Sequence, residues 1–242
     1  MRGYHEHSQG AKLMANKKVP ERVIEGGAIK DDGDMTMEAY SDAVKKRLGK
    51  EYRQFVDDII TKFNIPEVAR VLEIGPGPGW IGIWLAQRRP DLQIVGIELS
   101  KDMIRVAEAN ASAAGVANVS YINSGVEDMR DVEDGTCDLV FSNGSLHHWT
   151  DPVAAFKEIA RVLKPSGKVF IRDNRRDLTA GGKFIVNVLG RFVAGKMWKG
   201  WKTSIAAGYI PDEVTELFSQ AGVEGWNVIT NFMDLSIENQ VP

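Results

Sequence analysis

Two periodicities divide the chain. Over residues 38–63 apolar side chains recur at three- and four-residue steps: Val44, Leu48, Tyr52, Phe55, Ile59 and Phe63. That spacing places them on one face of a helix. Pro66 ends it, and Gly49 is a candidate break into two helices. From Ala69 the pattern turns to short apolar runs, over 71–74, 93–97, 119–123, 137–141 and 168–172, each read as a strand. Helical stretches separate them, over 80–89, 101–114 and 152–163. Their ends carry ordinary signals: Pro90 closes the first, Ser100 caps the second and Gly115 ends it, and Asp151 with Pro152 opens the third. Strands alternating with helices predict an α/β protein, a parallel sheet with helices on both faces. After the fifth strand the rhythm pauses. Phe184, Ile185, Val188, Leu189, Phe192 and Val193 pair at four-residue intervals and predict one amphipathic helix over about 182–201. A further helix over 211–220 ends at Ala221-Gly222, and two tightly joined strands over 225–230 and 232–237 follow.

Composition narrows the class without choosing a function. The chain of 242 residues suffices for one large domain with a modest appendage. Its net charge of -3 argues against a nucleic-acid binder. No apolar run approaches the ~20 residues that span a bilayer, and the polar start has no apolar core of a signal peptide. The single cysteine, Cys137, leaves no internal disulfide and no cysteine-based zinc site. A cytoplasmic protein is the expectation. Residues up to about 35 read as irregular, with loop signals at Gly26-Gly27 and Asp31-Asp32-Gly33-Asp34.

The chemistry concentrates where the first strand meets glycine. Leu72-Glu73-Ile74-Gly75-Pro76-Gly77-Pro78-Gly79 runs from strand into loop into helix. Glycine lets a backbone turn sharply and lets a ligand approach without a Cβ in the way. The following helix offers unpaired N–H groups and a positive dipole end. Glu98 ends the second strand, 21 residues beyond Gly77, where an acid can accept from ribose hydroxyls. Nicotinamide and S-adenosylmethionine sites both use such geometry. The loop reads G-x-G-x-G rather than G-x-G-x-x-G, and Glu73 precedes it. A carboxylate would repel a pyrophosphate and attract an amino group or a sulfonium, which favours S-adenosylmethionine.

On these residues the chain resembles the class I S-adenosylmethionine-dependent methyltransferases, with 73–79 similar to their motif I. Glu98-Leu99-Ser100 with Met103 resembles the family's acidic ribose clamp and the helix after it. Residues 134–142, 146–149 and 158–167 resemble the segments around its fourth strand, so the likeness covers 70–173. Its subgroup includes ubiquinone/menaquinone-type C-methyltransferases. The resemblance implies a Rossmann-like, doubly wound, seven-stranded sheet, mostly parallel, with an antiparallel last strand. It implies that Gly75, Pro76, Gly77, Gly79 and Asn143 face the methionine part of the cofactor, with Glu73 beside them. It implies that Glu98 meets the ribose and that Leu99 and Met103 flank the adenine. Many members have Gly-Asp-Ala-Glu after the third strand, the Asp bonding the adenine amine. Here the stretch is Ser124-Gly125-Val126-Glu127, and Gly125 stands where that Asp would be. The adenine contact then falls to backbone groups of Val126 and Glu127, or to a water. The implied organisation is an N-terminal extension and helix over 1–65 covering the active site, then a cofactor-binding domain over 66–242 with a lid insertion at about 178–205.

Methyl transfer is an in-line displacement from a good leaving group, so alignment supplies much of the acceleration. A base is needed only where the acceptor must lose a proton. The candidates at the carboxyl edge of the sheet are His147, His148 and Asp173; a packed turn and a loop cap are their plain alternatives. His5-Glu6-His7 has a metal-like spacing at a chain terminus, and no metal is expected there. Tyr4 and Tyr40 are candidates to reach the pocket. The mixed basic and aromatic run Lys196-Met197-Trp198-Lys199-Gly200-Trp201-Lys202 suits an active-site lid, a membrane surface or an RNA grip, the lid first. The expected partner is a small-molecule methyl acceptor. A macromolecular acceptor is the alternative, but strand four leads into Ser142-Asn143-Gly144-Ser145 rather than an Asn/Asp-Pro-Pro-Tyr tetrad. A non-catalytic cofactor-binding protein is a further alternative, and a nicotinamide oxidoreductase is disfavoured by the loop.

Overall fold

The computed structural model of the protein describes residues 19–24, 35–190, 192 and 195–239. Tyr4 and the His5-Glu6-His7 stretch lie outside them. Seven strands form one sheet: β1 Arg70–Ile74, β2 Gln93–Glu98, β3 Val119–Asn123, β4 Cys137–Asn143, β5 Leu163–Asn174, β6 Trp226–Thr230 and β7 Asp234–Asn239. Their order is β3-β2-β1-β4-β5-β7-β6. β7 runs antiparallel to both neighbours, and the first five strands are mutually parallel. The sheet is thus mostly parallel with an antiparallel last strand.

Side chains alternate across the sheet. Leu72, Ile74, Val140, Val169 and Ile171 pack to one side, against α4 (Pro152–Val162) and α7 (Pro211–Ala221). Val71, Leu139, Phe141 and Phe170 pack to the other, against α1 (Met37–Lys62) and α2 (Trp80–Arg88). Helix α3 (Lys101–Ala113) follows β2, with Ser100 Oγ accepting from the Met103 N–H as its cap. The same alternation sends Glu73 to the side of Val71, beneath α2.

Gly49 does not divide α1, which runs unbroken from Met37 to Lys62. The Trp84 ring packs on it, 3.4 Å from where a Cβ would stand. A packed neighbour there outweighs the local preference of glycine for a break. Trp80 Nε1 donates to Ser41 Oγ at 3.1 Å, and Lys45 Nζ lies 3.9 Å from the Trp80 ring centre, fixing α1 over α2.

The single helix expected over 182–201 is replaced by several pieces. These are α5 (Ala180–Phe184), a π turn (Ile185–Leu189), a 3₁₀ turn (Gly195–Met197) and α6 (Trp198–Ala207). Gly195 has φ +56°, which turns the chain out of the helix. The fold-back lets Trp198 Nε1 donate to the Val186 carbonyl at 2.8 Å while its ring covers Gly190. A periodicity count cannot anticipate such a contact. No helix among the described residues is long and apolar enough to cross a membrane.

Candidate functional site

β1 lies between β2 and β4, where the sheet's connections change direction. A crevice opens at the carboxyl ends of strands at such a point. The loop after β1 fills its floor. Gly75 and Gly77 have φ +65° and +52°, conformations that a side chain disfavours. A Cβ on Gly75 would lie 2.6 Å from Ser145, whereas a Cβ on Gly77 would meet nothing within 4 Å. Gly77 therefore faces open space in the crevice, and Gly75 serves close packing beneath it. Gly79 does not line the crevice; it precedes α2 and packs under Tyr121 and Ala107.

Glu98 and Glu73 flank this floor. Glu98 Oε2 accepts from the Gly77 N–H at 3.0 Å, and Oε1 accepts from the Ser100 N–H at 2.9 Å. The carboxylate thus ties the loop to the end of β2 and keeps lone pairs for a further donor. Burial raises its pKa, partly offset by those backbone bonds. Glu73 is 2% exposed. Its Oε2 makes no hydrogen bond of ordinary geometry among the described residues. Burial pushes its pKa up to about 8, the Gly82 backbone offsets part of that, and the Glu98 charge adds to it. A Cβ on Gly82 would collide with Glu73 Oε2, so this glycine makes room for the carboxyl.

At the other end, Leu99, Met103, Gly125, Val126 and Glu127 line the crevice. Glu127 Oε1 accepts from the Thr150 N–H at 2.8 Å. Its Oε2 lies 2.8 Å from the point where Gly125 would carry a Cβ. The space left by the departure at Gly125 is therefore occupied by a carboxylate two residues on. Asn143, Gly144, Ser145, His148, Tyr40 and Tyr52 complete the wall. Tyr52, Ser145 and Thr150 escaped sequence reasoning. Tyr52 read as a core position of α1, and only the tight fit at Gly75 betrays Ser145.

The three candidate polar residues separate into two groups. His147 and Asp173 form a buried pair behind the crevice, Nδ1 lying 2.8 Å from Oδ1. Asp173 also accepts from the backbone N–H of His147 at 2.8 Å and of Asn174 at 2.7 Å. His148 lines the crevice itself, and its ring lies 4.0 Å from that of His147. Burial lowers its pKa to about 4, the neighbouring His147 adds to this, and Asp173 opposes it. His148 is neutral near pH 7. Residues 19–24 run past this corner: Arg22 Nε donates to the Ala207 carbonyl at 2.8 Å and Nη2 to the His147 carbonyl at 3.2 Å.

A sheet of this order, with a glycine floor at its switch point and an acid ending β2, has the arrangement of a doubly wound ligand-binding domain. Residues 72–171 match the family model described as a methyltransferase domain. The chain is 33% identical to a ubiquinone biosynthesis O-methyltransferase of Xanthomonas axonopodis over 136 residues, 56% of this chain and 54% of that protein. The chain thus spans about half the length of the curated relatives it matches. Among solved structures, a Methanococcus maripaludis protein assigned as an S-adenosyl-L-methionine-dependent methyltransferase superposes with TM-score 0.68 at 22% identity. That superposition covers 89% of this chain and 99% of the other. A Haemonchus contortus phosphoethanolamine N-methyltransferase, solved with S-adenosylhomocysteine, superposes with TM-score 0.58 at 21% identity over 79% of this chain and 43% of its own. These two likenesses establish the fold.

Proposed function

We propose that the protein transfers the methyl group of S-adenosylmethionine to a small-molecule acceptor, releasing S-adenosylhomocysteine. One observation carries the reading: the crevice with open space above Gly77 is lined by two acids, the buried Glu73 and the half-buried Glu98. Burial makes the ionised form of Glu73 costly, and a cationic ligand in the crevice would offset that cost. The amino end of the cofactor is such a ligand, directly or through water, and a pyrophosphate is not.

Bound there, the cofactor supplies an electrophilic methyl on a sulfonium. The chain's own residues do the rest. The Gly75–Gly77 backbone and Asn143 hold the methionine part. Glu98 accepts from the ribose while its bond to the Gly77 N–H keeps the floor in register. Leu99 and Met103 flank the adenine, and Glu127 takes the place of the missing acid at Gly125. His148, uncharged near neutrality, faces the acceptor side without repelling a sulfonium. His147 and Asp173 act as positioning residues, because their pair holds the turn that presents His148. Tyr40 and Tyr52 on α1 wall the site. They exclude water from the reacting atoms.

The curated relatives are named for ubiquinone biosynthesis, which favours a small organic acceptor over a macromolecule. Titration calorimetry tests the reading. S-adenosylhomocysteine should bind with one site per chain and NAD should not bind. Absence of the first heat signal, or binding of NAD in its place, would sink it.

A further inference from the structure

Beyond Asp177, the insertion between β5 and α7 carries charge of one sign. From Leu178 to Pro211 the sequence has Lys183, Arg191, Lys196, Lys199 and Lys202, and neither Asp nor Glu, in a chain of net charge -3. Its apolar residues also divide. Val186 and Ile205 pack inward with Leu178 and Trp201. Phe184, Val188, Leu189 and Phe192 face outward, with 58%, 48%, 43% and 87% of their surface exposed. Four-residue steps align Phe184, Val188 and Phe192 along one stripe. The Phe232 ring, 53% exposed, lies against Gly181 and widens the patch. Exposed apolar surface on a segment whose charges are all basic marks a contact face rather than a solvated one.

We propose that this face docks the protein on an anionic lipid surface. The phenyl and aliphatic side chains enter the boundary between headgroups and acyl chains, and Lys183, Lys199 and Lys202 meet lipid phosphates. The tryptophans separate this occupant from single-stranded RNA. Trp198 donates Nε1 to Val186 at 2.8 Å, and the rings of Trp198 and Trp201 close over Gly190. They hold the insertion together and are not offered to bases. The side chains that are offered include Val188 and Leu189, which cannot stack on a base as aromatic platforms do. The docked face is joined to the crevice by α6, whose end at Ala207 is bridged by Arg22 to His147. Docking requires only this patch and is independent of methyl transfer.

Co-sedimentation of the full chain with vesicles tests it, using phosphatidylcholine alone and phosphatidylcholine with phosphatidylglycerol. The protein should pellet with the anionic vesicles, about tenfold less with the neutral ones, and less as salt is raised. The double variant Phe184→Ser/Phe192→Ser should lose about tenfold or more in vesicle affinity. Lys183→Glu/Lys199→Glu should lose the preference for anionic vesicles, about fivefold per lysine. All four side chains are exposed, so circular dichroism and melting should match the wild type and report an intact fold. The proposal is overturned if the wild-type chain stays in the supernatant with anionic vesicles. It is also overturned if the phenylalanine variant pellets like the wild type, or if the chain binds oligouridine and leaves vesicles unbound. Sedimentation needs neither cofactor nor acceptor, so its outcome is separate from that of the S-adenosylhomocysteine titration.

Discussion

Glu127 holds Oε2 2.8 Å from the position that a Gly125 side chain would occupy, while its Oε1 is fixed by the Thr150 N–H at 2.8 Å. A carboxylate thus reaches this end of the crevice from a residue two positions on. Glu127→Gln should weaken S-adenosylhomocysteine binding by about 1–2 kcal/mol, a charge-assisted bond reduced to a neutral one. Gly125→Asp should not add affinity, because its new carboxylate would crowd Glu127. Calorimetry on both variants decides this; a tighter Gly125→Asp protein would show that Glu127 does not fill the role.

Gly77 gives a second test of the crevice floor. A valine there would project into open space rather than into protein. S-adenosylhomocysteine affinity should fall by about 5- to 150-fold, as overpacking a fitted site costs about 1–3 kcal/mol. The backbone at φ +52° adds strain of about 1–2 kcal/mol to the fold. Urea unfolding should therefore remain cooperative with a modestly lower midpoint. Retained affinity in a folded Gly77→Val protein would place the ligand elsewhere.

Glu73 predicts a pH dependence of binding. With a pKa of about 8 it is mostly protonated at neutral pH in the free protein. A ligand ammonium nearby favours the ionised form, so binding releases a proton. Affinity for S-adenosylhomocysteine should rise as pH goes from about 6 to about 8, and Glu73→Gln should flatten that rise. Stability of the free protein runs the opposite way. A carboxyl whose folded pKa is raised costs nothing below its unfolded value of 4.5, and costs progressively more as pH rises towards about 8. Glu73→Gln should narrow the loss of melting temperature across that window. Equal pH profiles for the two proteins would remove Glu73 from the site.

Asp173 serves three donors in a buried place, the His147 ring and the backbone N–H groups of His147 and Asn174. Asp173→Ala leaves them without an acceptor and should cost about 2–4 kcal/mol in urea unfolding. Because neither Asp173 nor His147 lines the crevice, S-adenosylhomocysteine affinity should stay within about twofold. Asp173→Asn should keep more stability yet lower kcat, because it disturbs the turn that presents His148. An unchanged kcat with the fold intact would reduce the pair to a structural role.

The sheet and its cofactor loop were legible because their signals are local. Alternating apolar runs, the caps at Ser100 and Asp151, and glycines flanked by Glu73 and Glu98 each state a conformation or a chemistry within a few residues. The unbroken α1 and the folded-back insertion were not legible. They depend on Trp84 meeting Gly49 and on Trp198 meeting Val186, contacts between separate pieces of chain that a periodicity cannot register. The same distinction runs through the site. Sequence determined that an acid would stand in the first strand, just before the glycines, and that another would end the second. Only the tertiary structure decided that Glu127 Oε2 fills the space beside Gly125, and that His148 faces the crevice while His147 backs onto Asp173. Neighbouring histidines in one turn point in different directions, and burial beside a strand end, not residue type, assigns each its place.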